Sequence, residues 1–247
     1  MARIDGMESA AGFVLAGGQS SRMGSDKALV NFRGRPLIQT ALEGIRAAGM
    51  QVRMQAGMEA RIAGSRSSLR DYGVEIADTW VDVGPLGGVH AGISAALAEW
   101  NLFLPVDMPL MPASLLGCLL GRALLTRAHV TASRVNGRLE PYPVVLHRAV
   151  LPLIESRLRS GLTAGYAAWL SLPGELGSQL DSPAVEDLVQ CGRVRHPETL
   201  PPYLWFRSAN TPGELQRLER LSRGGALFRT GGYSPTAPQA GSSSLGG

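Results

Sequence analysis

The chain reads as an α/β protein, a three-layer Rossmann-like open sheet, mostly parallel, with helices on both faces. Three observations predict this. Apolar runs too short for helices, Phe13–Ala16, Val52–Gln55, Val74–Ala77, Leu102–Pro105 and Val130–Val135, alternate with longer helical patterns, as strands of a parallel sheet do. A glycine-rich loop directly follows the first run, the position at which such a sheet binds ligands. The 247 residues suffice for one large core without disulfides or metals to staple it.

In chain order, the helical patterns cover Pro36–Ala48, Gly88–Ala98, Ala113–Arg127, Ala149–Arg159 and Thr211–Arg223. Pro36 suits a first helical turn, and Thr211-Pro212 offers an N-cap followed by proline at the first helical position. Pro173–Pro202 mixes Gly, Pro, Ser and acids without clear periodicity and is expected to be an irregular excursion before a last short strand, Tyr203–Phe206. From Gly224 to Gly247 the composition turns to Gly, Ser and Pro, which predicts a disordered tail. The expected organisation is a flexible N-terminus over 1–10, one domain over 11–223 and the tail over 224–247.

Composition narrows the class further. Apolar residues make up 45% and charged residues 18%, an ordinary soluble balance. No window approaches the roughly 18 to 20 consecutive apolar residues of a membrane span. Met1–Ala10 lacks the apolar core of a secretory signal, so the expected location is cytoplasmic, with no membrane partner. The formal charge of +4 is spread thinly, without a basic run, which argues against a nucleic-acid partner. Cys118 and Cys191 have no metal-ligand spacing and read as free thiols. His90, His129, His147 and His196 form no metal or triad pattern, and there is no Gly-x-Ser-x-Gly elbow.

The decisive segment runs Leu15-Ala16-Gly17-Gly18-Gln19-Ser20-Ser21-Arg22-Met23-Gly24-Ser25-Asp26-Lys27. Gly17, Gly18 and Gly24 allow backbone N–H groups to approach phosphate oxygens, while Arg22 and Lys27 add positive charge. The loop matches neither the P-loop nor the dinucleotide-binding glycine pattern. Two aspartates follow later strands on what a parallel sheet makes the same edge: Asp78, ahead of Gly84-Pro85-Leu86-Gly87-Gly88, and Asp107, within Pro105-Val106-Asp107-Met108-Pro109. Nucleotidyl transfer needs a hard cation held by one or two carboxylates, and Asp107 is the candidate ligand. Either aspartate could instead be a turn former or helix cap.

The glycine loop resembles the L-A-G-G-x-S-x-R-M-G-x-D-K motif of molybdenum cofactor guanylyltransferases, within the nucleotidyltransferases of the nucleotide-diphospho-sugar transferase fold. Asp78 with the Gly-Pro-Leu-Gly-Gly run, and Asp107 in its V-D-x-P setting, resemble that family's next two motifs. The resemblance implies transfer of GMP from GTP to the phosphate of molybdenum-molybdopterin, with release of pyrophosphate and Mg2+ as cofactor. It implies catalytic roles for Arg22, Lys27 and Asp107, with Asp107 on the metal. It also implies nucleotide contacts from Leu15, Ala16, Gly17, Gly18, Lys27, Gln55, Asp78 and Asp107.

Arg138 and Glu140, in Gly137-Arg138-Leu139-Glu140-Pro141, resemble a family segment near the acceptor, although a hairpin turn at Asn136-Gly137 with solvated charges explains the same residues. Asn210 matches the second asparagine of the family's N-x-N-T-P, whereas Ser208 stands at the first; Leu162-Thr163-Ala164-Gly165 stands where relatives often carry arginines. Expected partners are GTP and molybdenum-molybdopterin, then molybdoenzymes or other cofactor-biosynthesis proteins. The alternatives left open are cytidylyl transfer, sugar-phosphate nucleotidyl transfer, and a non-catalytic GTP-binding module that delivers cofactor.

Overall fold

The computed structural model describes residues 9–17, 26–52, 58–64, 67–80, 83–161 and 171–224. Gly18, Arg22 and Gln55, the expected tail beyond Gly224 and most of the expected N-terminal segment lie outside them.

Nine strands are present among these residues: β1 (Ala10–Leu15), β2 (Asn31–Phe32), β3 (Arg35–Pro36), β4 (Glu59–Ala63), β5 (Glu75–Ile76), β6 (Trp100–Pro105), β7 (Val130–Val135), β8 (Arg138–His147) and β9 (Leu180–Asp181). Seven form one sheet in the order β5-β4-β1-β6-β8-β7-β9, and β2 pairs with β3 in a separate hairpin. Within the large sheet β5, β4, β1 and β6 are parallel neighbours, and β9 is parallel to β7. Only β8 runs against its neighbours, antiparallel to both β6 and β7. After β1 the chain continues to β4 on one side and returns through β6 on the other. The boundary between β1 and β6 is therefore where the strand order reverses, which in open α/β sheets opens a ligand crevice at the carboxyl ends.

Four helices cover the two faces, α1 (Leu37–Gln51), α2 (Pro85–Ala95), α3 (Ala113–Thr126) and α4 (Leu151–Arg159), and a further long helix, Pro212–Gly224, ends the described residues. Helix α1 packs on α3, and α2 packs on α4. The apolar stripe Leu37, Ile38, Ala41, Leu42, Ile45 and Ala48 is buried, at the i, i+4, i+8 spacing that lays one helical face on a sheet. Leu115, Leu116, Leu119, Leu120 and Ala123 form the matching stripe of α3. In the centre Phe13 of β1 stacks on Phe103 of β6 with ring centroids 5.1 Å apart. Both rings are fully buried, and their register keeps the two site-bearing strands aligned.

Several expectations need correction. Of the expected second strand Val52–Gln55, Val52 is instead the C-cap of α1 and the rest lies outside the described residues; the strand that pairs with β1 on this side is Glu59–Ala63. Pro36 precedes the helix as its N-cap residue. Tyr203–Phe206 is not a strand. Pro202–Trp205 forms a short helical turn, with Trp205 buried, its indole N–H donating to the Leu200 carbonyl at 2.8 Å and its ring stacked on His196. Pro173–Pro202 holds more order than expected, including β9 and the helix Val185–Gln190. Arg122 of α3 fixes that strand through two hydrogen bonds to the Asp181 carboxylate, 2.9 and 2.5 Å.

Candidate active site

At the end of β1 the backbone is tied to both neighbouring strands. The Leu15 carbonyl accepts from Val106 N–H at 3.1 Å, and Ala16 N–H donates to the Ala63 carbonyl at 3.0 Å. Gly17 then passes so close to Gly64 that a Cβ on Gly64 would lie 2.9 Å from Gly17 N, and Gly64 has φ +120°. Both the space and the dihedral demand glycine at 64. Leu15, Ala16 and Gly17 are thereby held as a fixed main-chain ledge.

Asp78 faces this ledge. Its Oδ2 lies 3.3 Å from where a Gly17 Cβ would stand, and its Oδ1 lies 3.7 Å from the same point on Gly88. Gly84 begins α2 with φ 65° and ψ −155°, which an L side chain rarely adopts, and Pro85 follows in the first turn. The Gly-Pro-Leu-Gly-Gly run thus starts the helix whose first turn borders Asp78. Asp78 Oδ1 is buried without a hydrogen-bond partner among the described residues. Burial pushes this carboxyl above the ordinary aspartate range.

On the other side of β1, Asp107 follows β6. Its carbonyl accepts from Ala209 N–H at 2.9 Å. Its Oδ2 accepts from Lys27 Nζ at 2.6 Å, with side-chain exposures of 17% and 16% that place the pair largely out of bulk water. Oδ1 of Asp107 is buried and has no hydrogen-bond partner among the described residues. A carboxylate with one oxygen on an ammonium and the other orphaned suits a hard cation at the second oxygen, because an unmatched buried charge is otherwise expensive. Among the described residues no three His, Cys, Asp or Glu side chains are grouped to hold a metal.

Lys27 is held from three segments. Asp26 Oδ1 accepts from Ala28 N–H at 3.1 Å and caps the turn Lys27–Leu29, while Asp26 Oδ2 accepts from Ser68 Oγ at 2.8 Å. Lys27 Nζ also donates to Asn210 Oδ1 at 2.6 Å. Asn210 is placed in turn by a capping box: Glu214 Oε2 accepts from Asn210 and Thr211 N–H, at 2.7 and 3.1 Å, and Thr211 Oγ1 accepts from Glu214 N–H at 3.2 Å. These bonds hold the Glu214 carboxyl below its ordinary range, the Asn210 N–H contributing most. The Thr211-x-x-Glu214 spacing could have been read from sequence.

Leu15, Ala16, Gly17, Lys27, Asp78, Asp107 and Asn210 thus gather at one edge of the sheet. The structure places Arg138 and Glu140 at the start of β8. They line, with Asn136, Tyr203, Phe206 and Arg207, a groove of about 500 Å³. Tyr203, Phe206 and Arg207 escape sequence reasoning because the helical turn that presents them reads as a strand.

The arrangement is one that can cradle a nucleoside triphosphate: a main-chain ledge with a carboxylate on one side, and an ammonium, a carboxylate and an amide on the other. Comparison with known proteins agrees. A family model described as the MobA-like NTP transferase domain matches residues 12–173. A molybdenum cofactor guanylyltransferase of Xanthomonas euvesicatoria pv. vesicatoria (strain 85-10) is 35% identical over 214 residues, 84% of this chain and 93% of that protein. A molybdenum cofactor guanylyltransferase of Vibrio cholerae serotype O1 is 31% identical over 150 residues, 60% of this chain and 70% of that protein. Among solved structures, molybdopterin-guanine dinucleotide biosynthesis protein A from Archaeoglobus fulgidus shares the fold with a TM-score of 0.64 at 19% identity, covering 87% of this chain and 99% of that one. The sheet, the glycine ledge, the two aspartates and these likenesses together make the chain a nucleotidyltransferase that belongs to the MobA-like NTP transferase domain family.

Proposed function

We propose that the protein transfers GMP from GTP to the terminal phosphate of molybdenum-molybdopterin in the cytoplasm, forming the guanine dinucleotide cofactor and releasing pyrophosphate. The observation that carries this reading is the Lys27–Asp107–Asn210 cluster beside the β1 ledge, in a chain 35% identical to a protein named for that activity. Leu15, Ala16 and Gly17 present backbone groups to guanine, and Asp78 accepts hydrogen bonds from the nucleoside. Lys27 holds triphosphate oxygens; Arg22 and Gly18, which lie outside the described residues, are assigned to the same loop, and Gln55 to the ribose side.

Asp107 is the protein ligand for Mg2+, through the orphaned Oδ1. Mg2+ when bound neutralises charge on the α-phosphate and on departing pyrophosphate. The acceptor phosphate attacks the α-phosphorus in line and the bond to the β-phosphate oxygen breaks. An ionised phosphate needs no general base, so these residues contribute positioning and charge. Arg138, Glu140 and Asn210 are assigned to the acceptor side.

The test is pyrophosphate release on mixing the protein with Mg2+, molybdenum-molybdopterin and either GTP or CTP. Release with GTP, and the guanine dinucleotide as product, is the expected result. A preference for CTP would move the assignment to cytidylyl transfer, and no release with any nucleotide would defeat it.

Asp78→Asn separates function from stability. An amide presents a donor where the carboxylate offers an acceptor, so GTP affinity should fall about tenfold, the weight of a lost charged hydrogen bond. The fold should not suffer at neutral pH. A carboxyl whose folded-state pKa is raised stabilises the fold below the ordinary carboxylate range, and that contribution is gone once pH rises through its raised pKa. The neutral isostere therefore melts at the same temperature or higher at pH 7. Unchanged GTP affinity would take Asp78 out of the nucleotide site.

A further inference from the structure

The groove between β8 and the Pro202–Trp205 turn lies beside the transfer site, and the register shows why. In the β6–β8 pairing, Trp100 stands opposite His147 and Phe103 opposite Val144. The residues of β8 before Val144, back to Arg138, therefore extend past the carboxyl end of β6, the end from which Asp107 follows. The second wall is equally close along the chain: Phe206 and Arg207 lead through Ser208 into Ala209 and Asn210, which bond to Asp107 and Lys27.

The lining has a definite chemistry. Tyr203 is 50% exposed and Phe206 half-buried, so two aromatic rings stand at the groove, one of them largely uncovered. Two guanidinium groups, Arg138 and Arg207, share it with one carboxyl, Glu140. Such a set accommodates a flat heterocycle on the rings, its ring N–H groups donating to the carboxyl, and an anionic substituent on the arginines. The volume, about 500 Å³, falls within the range of pockets that hold ligands of this size.

We infer that this groove is the acceptor pocket, in which Tyr203 and Phe206 stack the pterin ring system of a pterin phosphate, Glu140 accepts from its ring N–H groups, and Arg138 and Arg207 steer its phosphate toward Asp107. The inference rests on the transferase reading and deepens it by giving the pterin's ring and its phosphate separate partners. Burial raises the Glu140 carboxyl, against the pull of Arg138, as expected of a group screened from water until a donor arrives.

The experiment compares the full-length wild-type chain with Tyr203→Ala, Tyr203→Phe and Arg207→Ala. Molybdopterin binding is measured by titration without nucleotide, GTP binding by calorimetry with Mg2+, and turnover by pyrophosphate release. Tyr203→Ala should weaken molybdopterin binding and raise its KM about tenfold, the scale of losing one stacking platform, with GTP affinity and kcat little changed. Tyr203→Phe should restore binding, because it keeps the ring. Arg207→Ala should raise the KM in a salt-dependent way. If Tyr203→Ala and Arg207→Ala turn over molybdopterin with unaltered KM, the pocket assignment falls while the transferase reading stands. If wild type binds molybdopterin through Tyr203 yet releases no pyrophosphate with any nucleotide, the transferase reading falls and the pocket stands. A variant that also loses GTP binding reports a role in the fold rather than in acceptor capture, and counts against the pocket.

Discussion

Asp107→Ala should lose at least about a thousandfold of GMP transfer while the protein remains folded. A metal ion at a transferring phosphoryl group contributes several kcal/mol to the transition state, and each 1.36 kcal/mol is a factor of ten in rate. On the proposed reading Asp107 holds that ion, its Oδ2 bonded to Lys27 and its Oδ1 buried without a hydrogen-bond partner among the described residues. The fold should tolerate the change. The bond from Ala209 N–H to the Asp107 carbonyl, which ties the loop after β6 to the segment leading into the helix Pro212–Gly224, is a main-chain bond that alanine retains. Asp107→Asn keeps the shape and removes the charge, and should be nearly as inactive. Pyrophosphate release measures the loss, and circular dichroism melts check the fold. Turnover within a few-fold of wild type by either variant would put the metal elsewhere.

What the sequence made legible follows from what each residue does locally. The strands β1, β6 and β7 could be read because they are buried runs bounded by turn residues, and α1 and α3 because their apolar stripes repeat at helical spacing. Asn136-Gly137 could be read as a hairpin turn, and both residues have positive φ, 50° and 74°. Strand β8 was hidden because its first half, Arg138-Leu139-Glu140-Pro141-Tyr142-Pro143, carries charges and two prolines, which a strand pattern normally excludes. Tyr203–Phe206 misled because four apolar residues have no period; Pro202 and the burial of Trp205 against His196 decide for a helical turn. At the site, Lys27, Asp78, Asp107 and Asn210 stood out singly by residue type and by likeness to known motifs. That Lys27 would touch both Asp107 and Asn210, 80 and 183 residues away, is a property of strand order, which no local pattern carries.

Lys27→Ala should weaken GTP binding by about ten- to a hundredfold and leave the preference among bases unchanged. A hydrogen bond to a charged group contributes about 1.5 to 3 kcal/mol net, and 1.4 kcal/mol is a tenfold change in affinity. The ammonium sits on the Asp107 and Asn210 side of β1, whereas Gly17 and Asp78 lie on the β4 side, so a triphosphate at Lys27 and a base at the ledge occupy different ends of one crevice. The ratio of GTP to CTP affinity, measured by calorimetry with Mg2+, should therefore hold while both affinities fall. Raising the salt concentration should narrow the gap between wild type and variant, because part of the lost term is charge attraction in partly exposed surroundings. The double variant Lys27→Ala/Asp107→Ala should be less impaired in binding than the two single changes predict when added, since the two side chains share one ion pair and each single change already removes it. Unchanged GTP affinity in Lys27→Ala would mean that the lysine serves only to seat Asp107 and Asn210. A shifted ratio of GTP to CTP would place the base, rather than the phosphates, against Lys27 and reverse the orientation of the nucleotide along the sheet edge.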